Sequence, residues 1–441
     1  MTTVDRTRLT ALMEREQKRF VDDHPRSDEL YEQAKASMLA GVPMNWMTRW
    51  PGAYPVFVAE AHGAEFTDVA GHRHVDLCLG DTGAMAGHSP KVSADAIAEK
   101  VHDGITMMLP TEDAIWVGTE MARRFGLPYW QFSLTATDAN RFVLRLARFV
   151  TGRPKILVYN WCYHGSVDET VAGLASDGSV GPREGSVGPQ VDPALTTKVI
   201  EFNDLDALER ALEPGDVACV LAEPALTNIG IVLPDPGYHE ALREITRKTG
   251  TLLIIDETHT ICAGPGGYTK AYGLEPDFLT IGKTIASGIP AAAFGMSQEV
   301  VDKLDEWAYS KEADVGGVGG TLAGNALSIA ATRATLEHVL TDEAFERMIS
   351  LGERLTQGVD GIIAERSVPW HITRLGCRSE YLFQPNRPKD GSEAAANADD
   401  ELDAFMHLYM LNRGVLLTPF HNMTLMSPAT TQEHVDRHTE V

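Results

Sequence analysis

Apolar and polar positions change rhythm along the chain. Residues 4–39 repeat with helical spacing and expect two polar-faced helices broken at His24-Pro25. Three short alternating runs follow, YPVFVAEA (54–61), AEFTDV (64–69) and HVDLCL (74–79). Gly63 and Gly71 separate them, so they predict a small antiparallel meander. From about 91 to 300 helical stretches (91–104, 111–125, 137–150, 203–213, 237–249) alternate with short apolar runs. Those runs are KILVY (155–159), KVIEF (198–202), VACVLAE (217–223), TLLIID (251–256) and DFLTIG (277–282). The alternation predicts an α/β fold with a mainly parallel sheet covered by helices on both faces. Residues 323–365 read as helical. A last α+β unit follows, with strands near 379–383 and 414–418. The segment 176–193 carries GSVGP twice, at 178–182 and 185–189, and reads as a surface loop. TTQEHVDRHTEV reads as a helix stopped mid-pattern with no cap.

Composition narrows the function classes. The 441 residues are 44% hydrophobic and 23% charged, which suits a packed globular chain. Lys and Arg number 38 against 62 Asp and Glu, a net charge of −24. That balance disfavours nucleic acid and anionic membrane surfaces as partners. No apolar run approaches the roughly 18 residues of a membrane span. The N-terminus lacks an apolar core and is not read as a secretory signal. Cys78, Cys162, Cys219, Cys262 and Cys377 are scattered, with no CxxC spacing. Reduced thiols in a cytoplasmic enzyme are expected, with no zinc site and no metal.

Candidate chemistry gathers where strands end. Asp256 closes TLLIID, at the edge where open α/β sheets bind ligands. Followed by Glu257-Thr258-His259, it has a site role or a salt-bridge role. Twenty-seven residues on, Lys283 follows DFLTIG. An Asp and a Lys at two strand mouths suit a cofactor with a cationic ring and an aldehyde. Pyridoxal 5′-phosphate (PLP) needs a Schiff-base lysine and a carboxylate beside its ring nitrogen. Thr135-Ala136-Thr137 lies between a strand and a strongly periodic helix, where helix N–H groups can receive a phosphate. A plain N-cap by Thr137 is the simpler reading of that segment.

Taken in order, DVAGHRHVDL (68–77), GHSP (87–90), ATDANRFVLRLARFVTGRPKIL (136–157), YHG (163–165), AEPALTNIG (222–230), LLIIDETHT (252–260), DFLTIGKTIASGIPAAAFG (277–295) and GGTLAGNALSIAA (319–331) resemble the class III aminotransferases of fold type I. The glutamate-1-semialdehyde aminomutase-like branch resembles the chain most, over about residues 36–430. The resemblance implies a large PLP-binding α/β domain at 76–325. A small domain is built from 1–75 and 326–441. It implies Lys283 as the Schiff-base lysine, Asp256 at the pyridine nitrogen and Tyr163 on the ring, with His164 and Gly165 shaping that wall. Thr135, Ala136 and Thr137 match the phosphate turn, and Ala136 replaces the family's usual Gly. Glu223, Asn228 and Thr258 match the cofactor edge. Thr321 matches a threonine that reaches the phosphate of the neighbouring subunit, so a homodimer with shared sites is implied.

Departures concern the substrate. After AGVP (40–43), where relatives place a carboxylate-gripping arginine, this chain has Met44-Asn45-Trp46-Met47, and Arg49 is the nearest arginine. Phe420 stands where β-amino-acid transaminases place a second arginine. Met44, Trp46, Arg49, Trp50, Asp81 and Phe420 are the pocket candidates. An aminotransferase passing an amino group between an apolar amine or amino acid and a 2-oxo acid or aldehyde is the main expectation. A 2,1-aminomutase, or a PLP lyase or racemase, is the alternative.

Overall fold

The computed structural model describes residues 4–187, 191–310, 315–419 and 421–441. Phe420 therefore lies outside the described residues, as does part of the second GSVGP repeat. The chain forms two compact units. One comprises residues 1–90, 346–387 and 397–441, and the other residues 91–345 and 388–396. Sequence drew the lines at 75/76 and 325/326; the observed units break at 90/91 and 345/346.

The second unit is organised by a seven-stranded sheet. Its strands are β1 (Tyr129–Ser133), β2 (Lys155–Tyr159), β3 (Thr197–Ile200), β4 (Val217–Ala222), β5 (Leu252–Asp256), β6 (Phe278–Ile281) and β7 (Ala292–Met296). Their order across the sheet is β1-β7-β6-β5-β4-β2-β3. β7 runs antiparallel to both its neighbours, β6 and β1, and the remaining pairs are parallel. Strands β4 to β7 are buried at every position. Strands covered on both faces need apolar side chains both up and down, so they read as continuous apolar runs rather than alternations. The pattern bounded five of these seven strands; it gave β1 no bounds and missed β7. Its AAFGM is poor in β-branched residues, and packing chooses it. A Cβ on Gly295 would stand 2.7 Å from Trp130 Cζ2, so the absence of a side chain lets the indole of β1 lie across the strand.

The helices between strands follow their end signals. Ala136–Thr151 starts at Thr135, whose Oγ1 accepts the N–H of Asp138, and stops at Gly152 with φ 66°. The cap is thus Thr135 rather than Thr137. Its buried face, including Phe142, Val143, Leu146 and Ala147, joins the sheet core.

In the first unit, helices Arg6–Asp23 and Pro25–Ala34 break at His24, as the pattern predicts. The meander is Val58–His62, Glu65–Asp68 and Arg73–Asp76, and Val415–Leu416 adds a parallel fourth strand. A second sheet pairs His371–Leu375, Arg378–Leu382 and Met423–Leu425. Buried Glu16 ties helix one to the chain's last third, accepting from Arg413 at 2.9 Å and Asn412 at 3.1 Å. All five cysteines are buried, and none is joined in a disulfide among the described residues. Among the described residues no helix is long and apolar enough to cross a membrane.

Candidate active site

The C-terminal ends of the parallel strands converge at one sheet edge. Register puts Asp256 of β5 beside Thr280 of β6, and Glu223 directly follows β4. Asp256 is 4% exposed. Its Oδ2 accepts from His164 Nδ1 at 2.9 Å and Asn140 Nδ2 at 2.8 Å, and its Oδ1 accepts the N–H of Thr258 at 3.1 Å. Burial pushes this carboxyl up. The hydrogen bond and charge of His164, with Thr258 and Asn140, outweigh it and hold the group down at about 2. Burial likewise opposes an imidazolium at His164. Cys162 and Asp256 overcome that and raise it to about 10. The salt-bridge role that the sequence left open is seen in the structure. Asp256 is paired with His164, and it is an anion at the ligand edge of the sheet.

Neighbouring Glu257 turns the other way. It is buried, and it accepts from Thr260 Oγ1 and the N–H groups of Tyr268 and Thr269. Its position is structural: a Cβ on Gly267 would come within 2.5 Å of its Oε2.

Lys283 sits immediately after Gly282, with φ 54°. Its Nζ lies 2.7 Å from His259 Nε2. Left-handed backbone at a non-glycine residue costs energy and is characteristic of sites that surrounding structure holds in place. Gly282 is tightly enclosed, since a Cβ there would stand 3.1 Å from both the N and Cβ of Ala136. The phosphate-turn candidate is thereby packed against the glycine that precedes the lysine.

Thr135, Ala136 and Thr137 divide their work. Thr135 Oγ1 caps Asp138. Thr137 Oγ1 accepts the N–H of Ser166 at 3.2 Å. A Cβ on Gly165 (φ 76°) would fall 2.0 Å from Thr137 Oγ1, so only glycine lets the YHG loop meet this helix. The first N–H groups of a helix have no intrahelical acceptor. Those of Ala136 and Thr137 are what this turn can offer an anion.

The Tyr163 loop is anchored from below. Buried Glu223 accepts the N–H of Tyr163 at 3.0 Å through Oε1. Through Oε2 it accepts the N–H and hydroxyl of Thr227 at 3.1 and 2.6 Å. Burial raises the Glu223 carboxyl above its ordinary range. Asn228 donates to the Trp161 carbonyl at 3.1 Å. Both residues thus hold the loop that carries Tyr163 and His164.

The described residues fit PLP on their own chemistry. An ionised carboxylate has about four acceptor positions. Three donors reach Asp256, which leaves one for a ring N–H. A lysine amine and a helix N-terminus border the same edge.

Two contributors escaped the sequence reading. Asn140 bridges Asp256 and Thr280, whose hydroxyl donates to Asn140 Oδ1 at 2.7 Å. It lies one helical turn past the phosphate turn, and that i to i+3 or i+4 spacing from Ala136 and Thr137 was the available signal. His259 was visible in DETHT, but only folding brings it to Lys283. Thr321 is exposed and makes no hydrogen bond to the 135–137 turn among the described residues.

Met44, Trp46, Arg49, Trp50 and Asp81 belong to the first unit. Met44, Trp46 and Met47 are 45, 39 and 40% exposed on and beside the 3-10 turn Asn45–Thr48. Arg49 is exposed, and Asp81 Oδ1 lies 3.9 Å from Arg378 Nη1. Arg378 is fully buried and donates to Thr82; the sequence reading did not single it out.

The family model "Aminotransferase class-III" matches residues 46–440. A glutamate-1-semialdehyde 2,1-aminomutase from Persephonella marina is 31% identical over 424 residues, 93% of this chain and 96% of its own. The crystal structure of a glutamate-1-semialdehyde-aminomutase from Pseudomonas aeruginosa PAO1 is 51% identical with a TM-score of 0.96, covering 99% of this chain and 97% of that one. A lysine-to-alanine form of a glutamate-1-semialdehyde-aminomutase from that organism, in complex with PMP, matches equally well. A beta-phenylalanine aminotransferase from Variovorax paradoxus is 25% identical with a TM-score of 0.87, over 98% of this chain and 96% of that one. With a strand-edge carboxylate, a nearby lysine and a family match over most of its length, the chain belongs to the class III aminotransferases, PLP-dependent enzymes of fold type I.

Proposed function

We propose that this protein moves an amino group between adjacent carbons, as a glutamate-1-semialdehyde-type 2,1-aminomutase. The observation that carries the reading is the likeness to the Pseudomonas aminomutase at 51% identity over nearly the whole chain. Bound PLP supplies an electrophilic carbon and a cationic ring that draws off electrons. Lys283 would hold the cofactor through its amine and, once displaced by the substrate's amine, would be the base that moves the proton at the substrate carbon. His259, 2.7 Å away, orients that amine. Asp256 keeps a ring nitrogen protonated, because an adjacent anion favours the charged form. Tyr163 covers the ring, with its loop held by Glu223 and Asn228. The N–H groups of Ala136 and Thr137 take the phosphate.

We place the active unit as a homodimer. Met108, Leu109 and Ile115 are 77, 71 and 74% exposed, and Leu322 next to Thr321 is also exposed. The N–H of Ala326 donates to the Ile105 carbonyl at 2.9 Å, which ties the two apolar segments together. Exposed apolar side chains on segments joined in this way suit a second copy of the chain. The partner subunit's Thr321 would then reach the phosphate turn.

Incubation with glutamate-1-semialdehyde tests the reading. The aminomutase reaction converts it to 5-amino-4-oxopentanoate with no oxo acid consumed. A second reading, transamination of an apolar amine, is favoured by Met44, Trp46 and Met47 standing exposed where an arginine was expected. Ketone release from apolar amines with pyruvate or 2-oxoglutarate, and no 2,1-shift, would put that reading first.

A further inference from the structure

A second polar cluster lies within the first unit, on the turn of the meander. Asp68 ends the strand Glu65–Asp68. Its Oδ1 accepts the N–H groups of Ala70 at 2.8 Å and His72 at 2.9 Å, which leaves Oδ2 facing inward. Around Oδ2 stand His72 Nδ1 at 3.0 Å, His24 Nε2 at 3.3 Å and His74 Nε2 at 3.4 Å. His24, His74 and Asp68 are buried, while His72 reaches solvent.

The tautomer of His24 makes the arrangement informative. Its Nδ1 lies 2.9 Å from the Phe20 carbonyl, which can only accept, so Nδ1 carries a proton. In the neutral ring Nε2 is then a bare lone pair. That atom is buried and has no hydrogen-bond partner among the described residues. A lone pair 3.3 Å from a carboxylate oxygen is repulsive unless a cation stands between them.

We propose that His24 Nε2, His72 Nδ1 and Asp68 Oδ2 bind a divalent transition cation, zinc above all, with water as fourth ligand. The three atoms all lie within 4.8 Å of one another. Tetrahedral bonds of about 2.0–2.1 Å set ligand atoms about 3.3 Å apart, and two of the three edges are 3.3 and 3.0 Å. The supporting bonds are in place too. The Phe20 carbonyl fixes the His24 ring, and two backbone N–H groups fix the carboxylate. A cleft of about 310 Å³ lined by His24, His72 and His74 gives a route in. Arginines also line it, but Arg19, Arg73, Arg413 and Arg437 are each paired with a carboxylate, of Asp23, Glu65, Glu16 and Glu440. The ion would pin the helix break at His24 to the meander turn.

The test uses the tag-free full chain, loaded with PLP and stripped of metal by a chelator. Zinc titration should show one equivalent bound per chain, and cobalt should give the visible absorption of a four-coordinate ion. His72→Gln keeps the exposed position and the backbone N–H bond to Asp68. It should weaken zinc binding at least about tenfold, and His24→Gln should do the same. No bound zinc, or binding indifferent to both substitutions, would overturn the proposal and leave a proton on His24 as the cation.

Discussion

Asp256 and Trp46 show two ways of holding a candidate site residue. Asp256 is fixed by three donors from three different elements: helix Ala136–Thr151, the YHG loop and its own strand end. Trp46 sits on a four-residue 3-10 turn with over a third of its surface open, beside exposed Met44 and Met47. The sheet-edge residues are over-determined, so a change at one disturbs several partners. The 44–49 segment has few neighbours in its own unit, so its side chains can be exchanged with little effect on stability. A chemistry shared by a family needs the first arrangement, and substrate choice is free to use the second.

The largest contrast comes from Lys283→Ala. Loss of the amine should lower turnover by about 10³-fold or more, with the fold intact. Borohydride reduction and peptide mapping should place the cofactor label on Lys283. A label on Lys270 would break the assignment.

Asp256→Asn should lower turnover by at least about 10²-fold, since the ring nitrogen loses its anion. It also tests the electrostatics. The Asp256 carboxyl is held near 2, below its ordinary 3.8. A depressed acid stabilises the fold above its unfolded value and loses that contribution as pH falls through its folded value. The wild-type melting temperature should therefore drop between about pH 4 and pH 2 by more than that of the Asn variant. At the other end, His164 is raised from 6.5 to about 10. Its contribution is complete below about pH 6.5 and disappears as pH rises through 10. Parallel melting curves for the two proteins across both windows would show that the pair carries no stability.

Gly165→Ala probes the contact between the YHG loop and the helix. Its methyl would meet Thr137 Oγ1 at 2.0 Å on a backbone of φ 76°. A destabilisation of about 1–3 kcal/mol by denaturant melting is expected, with weaker PLP retention. Thr137→Ala in the same chain should recover part of it by removing the obstructing hydroxyl. No recovery would assign the whole effect to backbone strain.

His259→Gln is smaller. It should leave stability near wild type and change the bound cofactor's absorbance profile, because the Lys283 amine loses its imidazole partner. An unchanged profile would remove His259 from the site. Met47→Arg is the mildest for the fold, within about 0.5 kcal/mol at an exposed position. It should shift preference towards carboxylate-bearing substrates, read as kcat/KM ratios across an amine panel. An unchanged ratio would detach the 44–49 segment from substrate choice.

Much of this molecule was set by local sequence. Buried parallel strands must be apolar on both faces, so KILVY, VACVLAE, TLLIID and DFLTIG declare themselves. Asp256 and Lys283 stand out because a charge at the end of such a run is unusual. Glycine end signals and a capping threonine bounded the helix at 136–151. What sequence could not supply were choices made by packing between distant segments. β7 is a strand because Gly295 fits under Trp130, not because AAFGM favours one. Asn140, Thr280 and His259 are ordinary polar residues until the sheet order brings three elements to one edge. His24, Asp68 and His72 have no motif spacing, and a metal was not expected. Only the meander folding back on the helix break brings one polar atom of each within 4.8 Å of the others. Local propensity acts over a few residues. The identity of a polar neighbour across more than 40 residues is fixed by the topology that buries both.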